Sequence, residues 1–329
     1  MLENRVVLSH GSAAAAAAHA QTHTSPHRVE TELIAPSVVS VGALGDSYTD
    51  EYIYYPPDRS QARSWVEILS ATRGINFGPH SNKSLGLPRF AGYAYDWALT
   101  DATSSEMVQS QLPGLAGQVA RGKIQYAWIF SGADDYLNLL YAVQAGTISP
   151  AAAATELPQL TTQASANMET ALTTLLAASP KVKLVVATLP PVGLLPIVQL
   201  GETTPEAQAL VMATDQAIGN FNDAIKASVA AAGQRVTLVD LAAATEQLAG
   251  SPSEVEFGGI TINLVTPGDS YNHFFLADGI HIGTVGQGLI ASMFINAVDA
   301  AFGAHIAPLT PTQIVSYAKV VWYRVHHRG

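Results

Sequence analysis

From Ser37 onward the chain alternates short apolar runs with longer amphipathic ones, and that alternation restricts it to an α/β protein built on a parallel sheet. "PSVVSVGAL", 36–44, reads as the first strand and "IQYAWIFSG", 124–132, as the second; "KVKLVVATLP" and "QRVTLVDL" follow as the third and fourth. Each run is bounded by turn chemistry and is too continuously apolar to keep a solvated face, as expected of strands covered on both sides. Between the first two, "RSWVEILSATRG" places Trp65, Ile68 and Leu69 on one helical face and stops at Gly74. The Ala-rich segments 151–178 and 205–232 predict covering helices. "EVEFGGITINLV" predicts a small hairpin, and 284–303 and 311–325 predict two closing helices.

Nearly half of the 329 residues are hydrophobic, enough for a large core, and no repeat or linker divides 34–329, so a single domain is expected there. A net charge of −10 with only 16 Lys and Arg disfavours nucleic acid or an anionic membrane surface as partner. The absence of cysteine removes disulfides, thiol catalysis and cysteine-bound metals. Residues 1–33 read as a flexible tail or processed export segment: "AAAAAAHAQ" contains an Ala-His-Ala like a signal-peptidase site, although Glu3 and "SHGS" break the usual pattern. With no uninterrupted apolar run approaching about 18 residues, a soluble, secreted or periplasmic protein is expected.

Two short motifs carry chemistry. In "VGALGDSYTDEY", Ser47 closes a strand-to-helix transition, where an α/β sheet exposes side chains and a following helix offers backbone N–H groups to an anion. A serine at such a place is commonly only a helix cap. In "ADGIHIGTVGQ", Asp278 and His281 stand three apart just before a helix. A serine hydroxyl needs a base to take its proton, and an imidazole base needs a carboxylate to hold its tautomer. Alone, Asp278 is equally a loop cap with a solvated histidine beside it; together with Ser47 the three side chains form a complete set for nucleophilic catalysis.

"GDSYTD" near the start, "SGADDYL" in the middle and "DGIH" near the end resemble blocks I, III and V of the GDSL or SGNH hydrolases, in that order over 37–303. The flanking "YYPPDRSQARSWVEIL" and "ATSSEMV" resemble exported bacterial esterase-like members. The resemblance implies a three-layer α/β/α, flavodoxin-like domain and ester hydrolysis through an acyl-enzyme, without a cofactor or metal. It makes Ser47 the nucleophile, His281 the general base and acid, and Asp278 its orienting partner.

The same resemblance exposes two departures. Block II, commonly N-x-x-x-S-G-x-T, best matches "DWALTDAT", which puts Asp96 at the asparagine and Asp101 at the glycine. Block III, commonly G-x-N-D, reads Gly132-Ala133-Asp134-Asp135. The oxyanion hole implied is therefore the backbone N–H groups of Ser47 and Asp101 with Asp134 in place of an amide donor. Asp101 serves if its backbone adopts a conformation that a residue with a Cβ tolerates. An ionised Asp134 only accepts hydrogen bonds and repels the developing oxyanion, so the hole works only if Asp134 carries a proton. Crowding with Asp96, Asp101 and Asp135 favours that proton. The expected enzyme is a weakened serine esterase acting on small or carbohydrate-borne acyl esters, limited in acid by protonation of His281 and in alkali by ionisation of Asp134.

A catalytically silent fold of the same kind, binding carbohydrate or an extracellular partner, is the rival reading. A Ca²⁺ or Mg²⁺ site among Asp46, Asp96, Asp101, Asp134 or Asp135 comes third, because their spacing matches no metal loop. Tyr52, Tyr54 and Tyr55 either line an acyl or sugar site or pack on the surface, and His273, Phe274 and Phe275 are expected to anchor the loop carrying Asp278 and His281. Val315, Val320, Val321 and Trp322 form an apolar stripe that docks on the body or on a second subunit.

Overall fold

The most apolar runs of the sequence become the central sheet. The computed structural model describes residues 39–82, 91–201 and 204–326, so the expected tail and its Ala-His-Ala site lie outside the described residues. The elements in chain order begin with β1 (Val41–Gly45), α1 (Trp65–Arg73), β2 (His80–Ser81) and β3 (Gly92–Tyr93). Next come α2 (Ser104–Glu106), a π-helical turn (Met107–Gln111), α3 (Leu112–Ala120), β4 (Tyr126–Phe130), α4 (Ala133–Gln144) and α5 (Pro150–Ala178). Then follow β5 (Lys183–Ala187), α6 (Pro196–Gly201), α7 (Pro205–Ala232), β6 (Val236–Val239) and α8 (Leu241–Ala249). The chain closes with β7 (Glu254–Phe257), β8 (Ile260–Asn263), α9 (Thr284–Phe302) and α10 (Pro311–His326).

Four parallel strands pair in the order β1-β4-β5-β6, with Val41 opposite Tyr126, Ala127 opposite Leu184 and Leu184 opposite Val236. Every residue of β1 and β4 is buried, which is why these strands are uniformly apolar and not alternating. On one side α9 packs on β5 and β6 and carries α1 and α10; on the other α5 packs on β4 and β5 between α3 and α7. The result is the expected three-layer α/β/α sandwich. Residues Val38–Gly329 cluster as one compact unit.

The predicted helices have visible local causes. α1 starts where the Ser64 N–H donates to Glu67 Oε2 at 2.9 Å and stops at Gly74, whose φ of 63° is left-handed. α5 and α7 each begin with a proline behind a Ser or Thr cap: Ser149 Oγ accepts from Ala152 N–H and Thr204 Oγ1 from Ala207 N–H. The hairpin β7–β8 is antiparallel, with Phe257 opposite Ile260.

α9 is long and apolar enough to cross a bilayer by length and composition. Its apolar residues are instead spent on the core, where Val285, Ile290, Ala291, Phe294, Ile295 and Val298 are buried. Of the expected stripe on α10, Val315 and Val321 pack inward on the body together with Ile314 and Ala318, and Trp322 is half-buried, whereas Val320 is 45 % exposed. The helical segment from Ser104 to Ala120, α4, α6 and α8 were not anticipated. In the first of these, Gly114 accommodates the Trp97 ring, 2.1 Å from where a Cβ would stand, so a residue that weakens the helical pattern is required by packing.

Candidate active site

Ser47 follows the carboxyl end of β1 and Asp134 that of β4, the edge of an open α/β sheet where ligands bind, while Asp278 and His281 come from the loop ahead of α9. β1 is fixed at its last residue. The Gln111 amide spans the Gly45 peptide, its Oε1 accepting from Gly45 N–H at 3.0 Å and its Nε2 donating to Gly45 O at 2.8 Å. Gly45 has no room for a side chain, because a Cβ would come within 2.5 Å of Phe130 O. The turn that follows is closed by Asp46, whose Oδ1 accepts from Tyr48 N–H at 3.0 Å. Ser47 therefore leaves the sheet from a strand end held on both sides.

On the opposite wall, Asp278 organises a loop. Its Oδ1 accepts from the N–H groups of Ile280 and His281 at 2.8 and 2.9 Å, and its Oδ2 accepts from His281 Nδ1 at 2.6 Å. Burial works to raise the Asp278 carboxyl, but the hydrogen bond and charge of His281, with the two backbone donors, outweigh it and hold the group below its ordinary value. Asp278 is thus ionised and accepts the proton of Nδ1, which makes Nε2 the acceptor of the ring in its neutral form. Nε2 is buried and has no hydrogen-bond partner among the described residues. An unsatisfied buried nitrogen costs about 1–3 kcal/mol and is the kind of exception found at reactive sites.

The two walls are tied together by residues that sequence reasoning missed. Tyr48 Oη donates to Ile280 O at 2.6 Å, across 232 residues of chain. Burial, reinforced by nearby acidic groups, pushes the Tyr48 phenol up, so it remains a donor. Gln287 Nε2 donates to Tyr48 O at 3.1 Å and to Tyr52 Oη at 2.7 Å, while its Oε1 accepts from Trp65 N–H at 2.9 Å. Beneath the turn lies Arg59, 3 % exposed, which donates to Ser47 O at 3.4 Å and to Thr100 Oγ1 at 2.8 Å and stacks its guanidinium 3.9 Å over the Tyr55 ring. The signal for Gln287 and Gln111 was available: both are amides at positions otherwise filled by apolar helix residues, and a wholly buried amide must have partners.

Ser47, His281, Asp101 and Asp134 line one cavity of about 70 Å³, with Asp278 behind His281. Among the described residues Ser47 Oγ makes no hydrogen bond, and neither the Ser47 nor the Asp101 backbone N–H donates to an acceptor. Asp101 has φ 62°, the left-handed region that a glycine in block II would occupy and that aspartate tolerates better than most residues. The glycine-to-aspartate departure is therefore accommodated by the backbone.

Asp134 is the second residue of α4, 8 % exposed, with its carboxyl at the cavity. Burial, followed by the charges of Asp46, Asp101, Asp135 and Glu106, pushes it up to about 8. Asp46, also buried, is pushed up to about 7, again chiefly by burial, with the charge of Asp135 adding to it. The expected crowding needs two corrections. Asp96 does not line the cavity: it is fully buried beside β1, bridged to Ala43, with its Oδ1 accepting from Ala98 N–H. Asp135 does not line the cavity either and acts on Asp134 only through its charge: Ser104 N–H and Oγ donate to its carboxylate at 2.7 and 2.8 Å, and Ser104 Oγ in turn accepts from Asn167 Nδ2.

The aromatic residues divide. Tyr52 is fully buried and stands edge-on to His281 at 6.0 Å, Tyr55 donates to Asp50, and Tyr54 is half-buried and bonded to His80. None of the three lines the Ser47 cavity. Phe274 and Phe275 anchor the loop that carries Asp278 and His281, since Phe274 O accepts from Gly283 N–H at 2.7 Å and Phe275 bridges Ile282. Among the described residues no three His, Asp or Glu side chains are placed to share a metal ion.

No curated protein sequence matches the chain. Solved structures with a similar course include a lipase from a goat rumen metagenome, 14 % identical over 78 % of this chain and 96 % of that one, TM-score 0.47. A family 3 carbohydrate esterase from Clostridium thermocellum is 15 % identical over 82 % of this chain and 99 % of that one, TM-score 0.42. Phospholipase A1 from Streptomyces albidoflavus NA297 is 14 % identical over 76 % and 98 %, TM-score 0.44. Likeness this distant says nothing of substrate. The sequence profile of the GDSL-like lipase/acylhydrolases, by contrast, matches residues 41–294, well over half of the chain and inclusive of every residue of the site, so the protein belongs to that family of ester hydrolases.

Proposed function

We propose that the protein is a serine esterase that cleaves acyl esters, of small alcohols or carried on carbohydrate, through an acyl-enzyme on Ser47. The single observation that carries this reading is the 2.6 Å hydrogen bond from His281 Nδ1 to Asp278 Oδ2, which leaves the opposite ring nitrogen bare in the cavity that Ser47 lines. The proton on Ser47 Oγ passes to His281 Nε2 as Oγ bonds to the ester carbonyl carbon. The tetrahedral oxyanion accepts from the unspent N–H groups of Ser47 and Asp101 and from a protonated Asp134. The ester C–O bond then breaks, and the alcohol leaves with the proton from Nε2. Water enters, gives its proton to Nε2, attacks the acyl carbon, and the Oγ–C bond breaks with the proton returned to Ser47.

Asp134 stands in for an amide only while protonated, and its value of about 8 keeps it so through neutral pH. Its role matches that of a buried neutral acid donating to an oxyanion. Labelling with a fluorophosphonate, followed by peptide mapping, tests the reading. A stoichiometric adduct on Ser47 that disappears in His281→Ala is expected; absence of any adduct on Ser47 between pH 6 and 9 would favour a binding protein over an enzyme.

A further inference from the structure

A second, larger cavity of about 230 Å³ lies beside the first and shares Tyr48, Pro190, Pro191 and Leu195 with it, so the two meet along one wall. Its remaining wall is built by α8, the first turns of α9 and the loop ahead of His281, through residues such as Leu241, Leu248, Phe274, Ile290 and Met293. Among the described residues no charged side chain lines it. Its one phenol, Tyr48, already donates to Ile280 O, and its other side-chain hydroxyls are those of Thr245 and Ser292. Water finds few partners in such a space, and an unfilled apolar void weakens a fold in proportion to its volume. A chamber kept open there, against the loop that positions His281, points to an apolar ligand.

An apolar cavity of about 150 Å³ accepts the six carbons of benzene, and on that scale a chamber of about 230 Å³ holds about nine carbons. We propose that this chamber binds the acyl chain of the substrate, a straight aliphatic chain of about eight to ten carbons whose carbonyl lies at Ser47. The chain runs past Pro190, Pro191 and Leu195, the residues common to both cavities. A third cavity of about 150 Å³ continues from the chamber through Leu194, Leu248, Phe274 and Phe275 to exposed Val265, so the chain's far end is not sealed in. This assignment rests on the reading of Ser47 as the nucleophile.

Hydrolysis of p-nitrophenyl acetate, butyrate and octanoate by the full chain, with Ser47→Ala as the blank, tests it. Each methylene buried multiplies kcat/KM by up to about fourfold, so a rise of at least about tenfold from acetate to octanoate is expected. In Ala244→Phe, which fills the chamber from α8, the octanoate-to-acetate ratio of kcat/KM is expected to fall about tenfold, and a ratio cancels any loss of folded protein. Ser47-dependent turnover that does not rise with chain length would overturn the chamber and leave the nucleophile standing. If no ester were turned over, the nucleophile would fall, and binding would decide the chamber. Octanoate should displace cis-parinaric acid from Ser47→Ala but not from a protein that also carries Ala244→Phe, and no displacement from Ser47→Ala overturns the assignment.

Discussion

The two walls of the Ser47 cavity are built to different standards. On the His281 side Asp278 accepts three hydrogen bonds and Tyr48 reaches across to Ile280 O, while Nε2 is left bare among the described residues. On the Asp134 side a buried carboxyl, raised to about 8 by burial and surrounding acids, faces the place where negative charge would form. The base is therefore pre-organised at any pH that leaves the imidazole neutral, whereas the oxyanion hole is complete only while one proton stays in place. In the proposed mechanism the pH limit on the alkaline side belongs to charge stabilisation, not to the nucleophile.

The largest effects should come from the base wall. His281→Ala and Ser47→Ala are each expected to lower kcat/KM for p-nitrophenyl acetate by about four orders of magnitude or more, and the double variant to be no worse than either, because the pair acts as a unit. Asp278→Asn should cost about three to four orders, through loss of the tautomer that keeps Nε2 bare; a loss of less than tenfold would mean that His281 is held by its other neighbours.

The oxyanion wall should show smaller effects and a signature in stability. Asp134 in the folded protein titrates near 8, Asp46 and Glu67 near 7, all above their ordinary values and all chiefly because of burial. Between about pH 4 and 8 the folded state then holds protons that the unfolded chain has released, so stability is full below that window and falls as pH rises through it. Asp134→Asn should raise the melting midpoint at pH 9 by about 2–4 °C, with a smaller gain at pH 5. An equal gain at both would show that Asp134 does not titrate in that window. Asp101→Gly should change turnover by less than about threefold and stabilise slightly, because it relieves a left-handed backbone that costs about 1 kcal/mol while retaining the N–H.

The base wall was also the more legible of the two. Asp278 and His281 are three residues apart, so their pairing is local and can be read from the chain, as can the strands whose burial on both faces leaves them uniformly apolar. The other wall depends on contacts that no local pattern encodes. Asp135 is bonded by Ser104, 31 residues distant, and Gln111 fixes Gly45 from 66 residues away. Asp96 occupies the position of a block II asparagine but is spent along the edge of β1, and sequence alone could not separate it from Asp101, five residues on. The helices from Ser104 to Ala120 and at α8 were hidden for a similar reason: their glycines and polar residues answer to Trp97, Gly45 and the cap at Asp240, not to a helical period.

The most direct test of the protonated oxyanion hole is the pH dependence of kcat for p-nitrophenyl acetate in the unmodified protein and in Asp134→Asn, with Ser47→Ala subtracted. With Asp134 as the third donor, the unmodified protein loses activity as pH rises through about 8, while Asp134→Asn keeps its activity there and exceeds it by about tenfold at pH 9. Coincident profiles, with the same alkaline fall in both, would contradict it and place the limiting proton elsewhere.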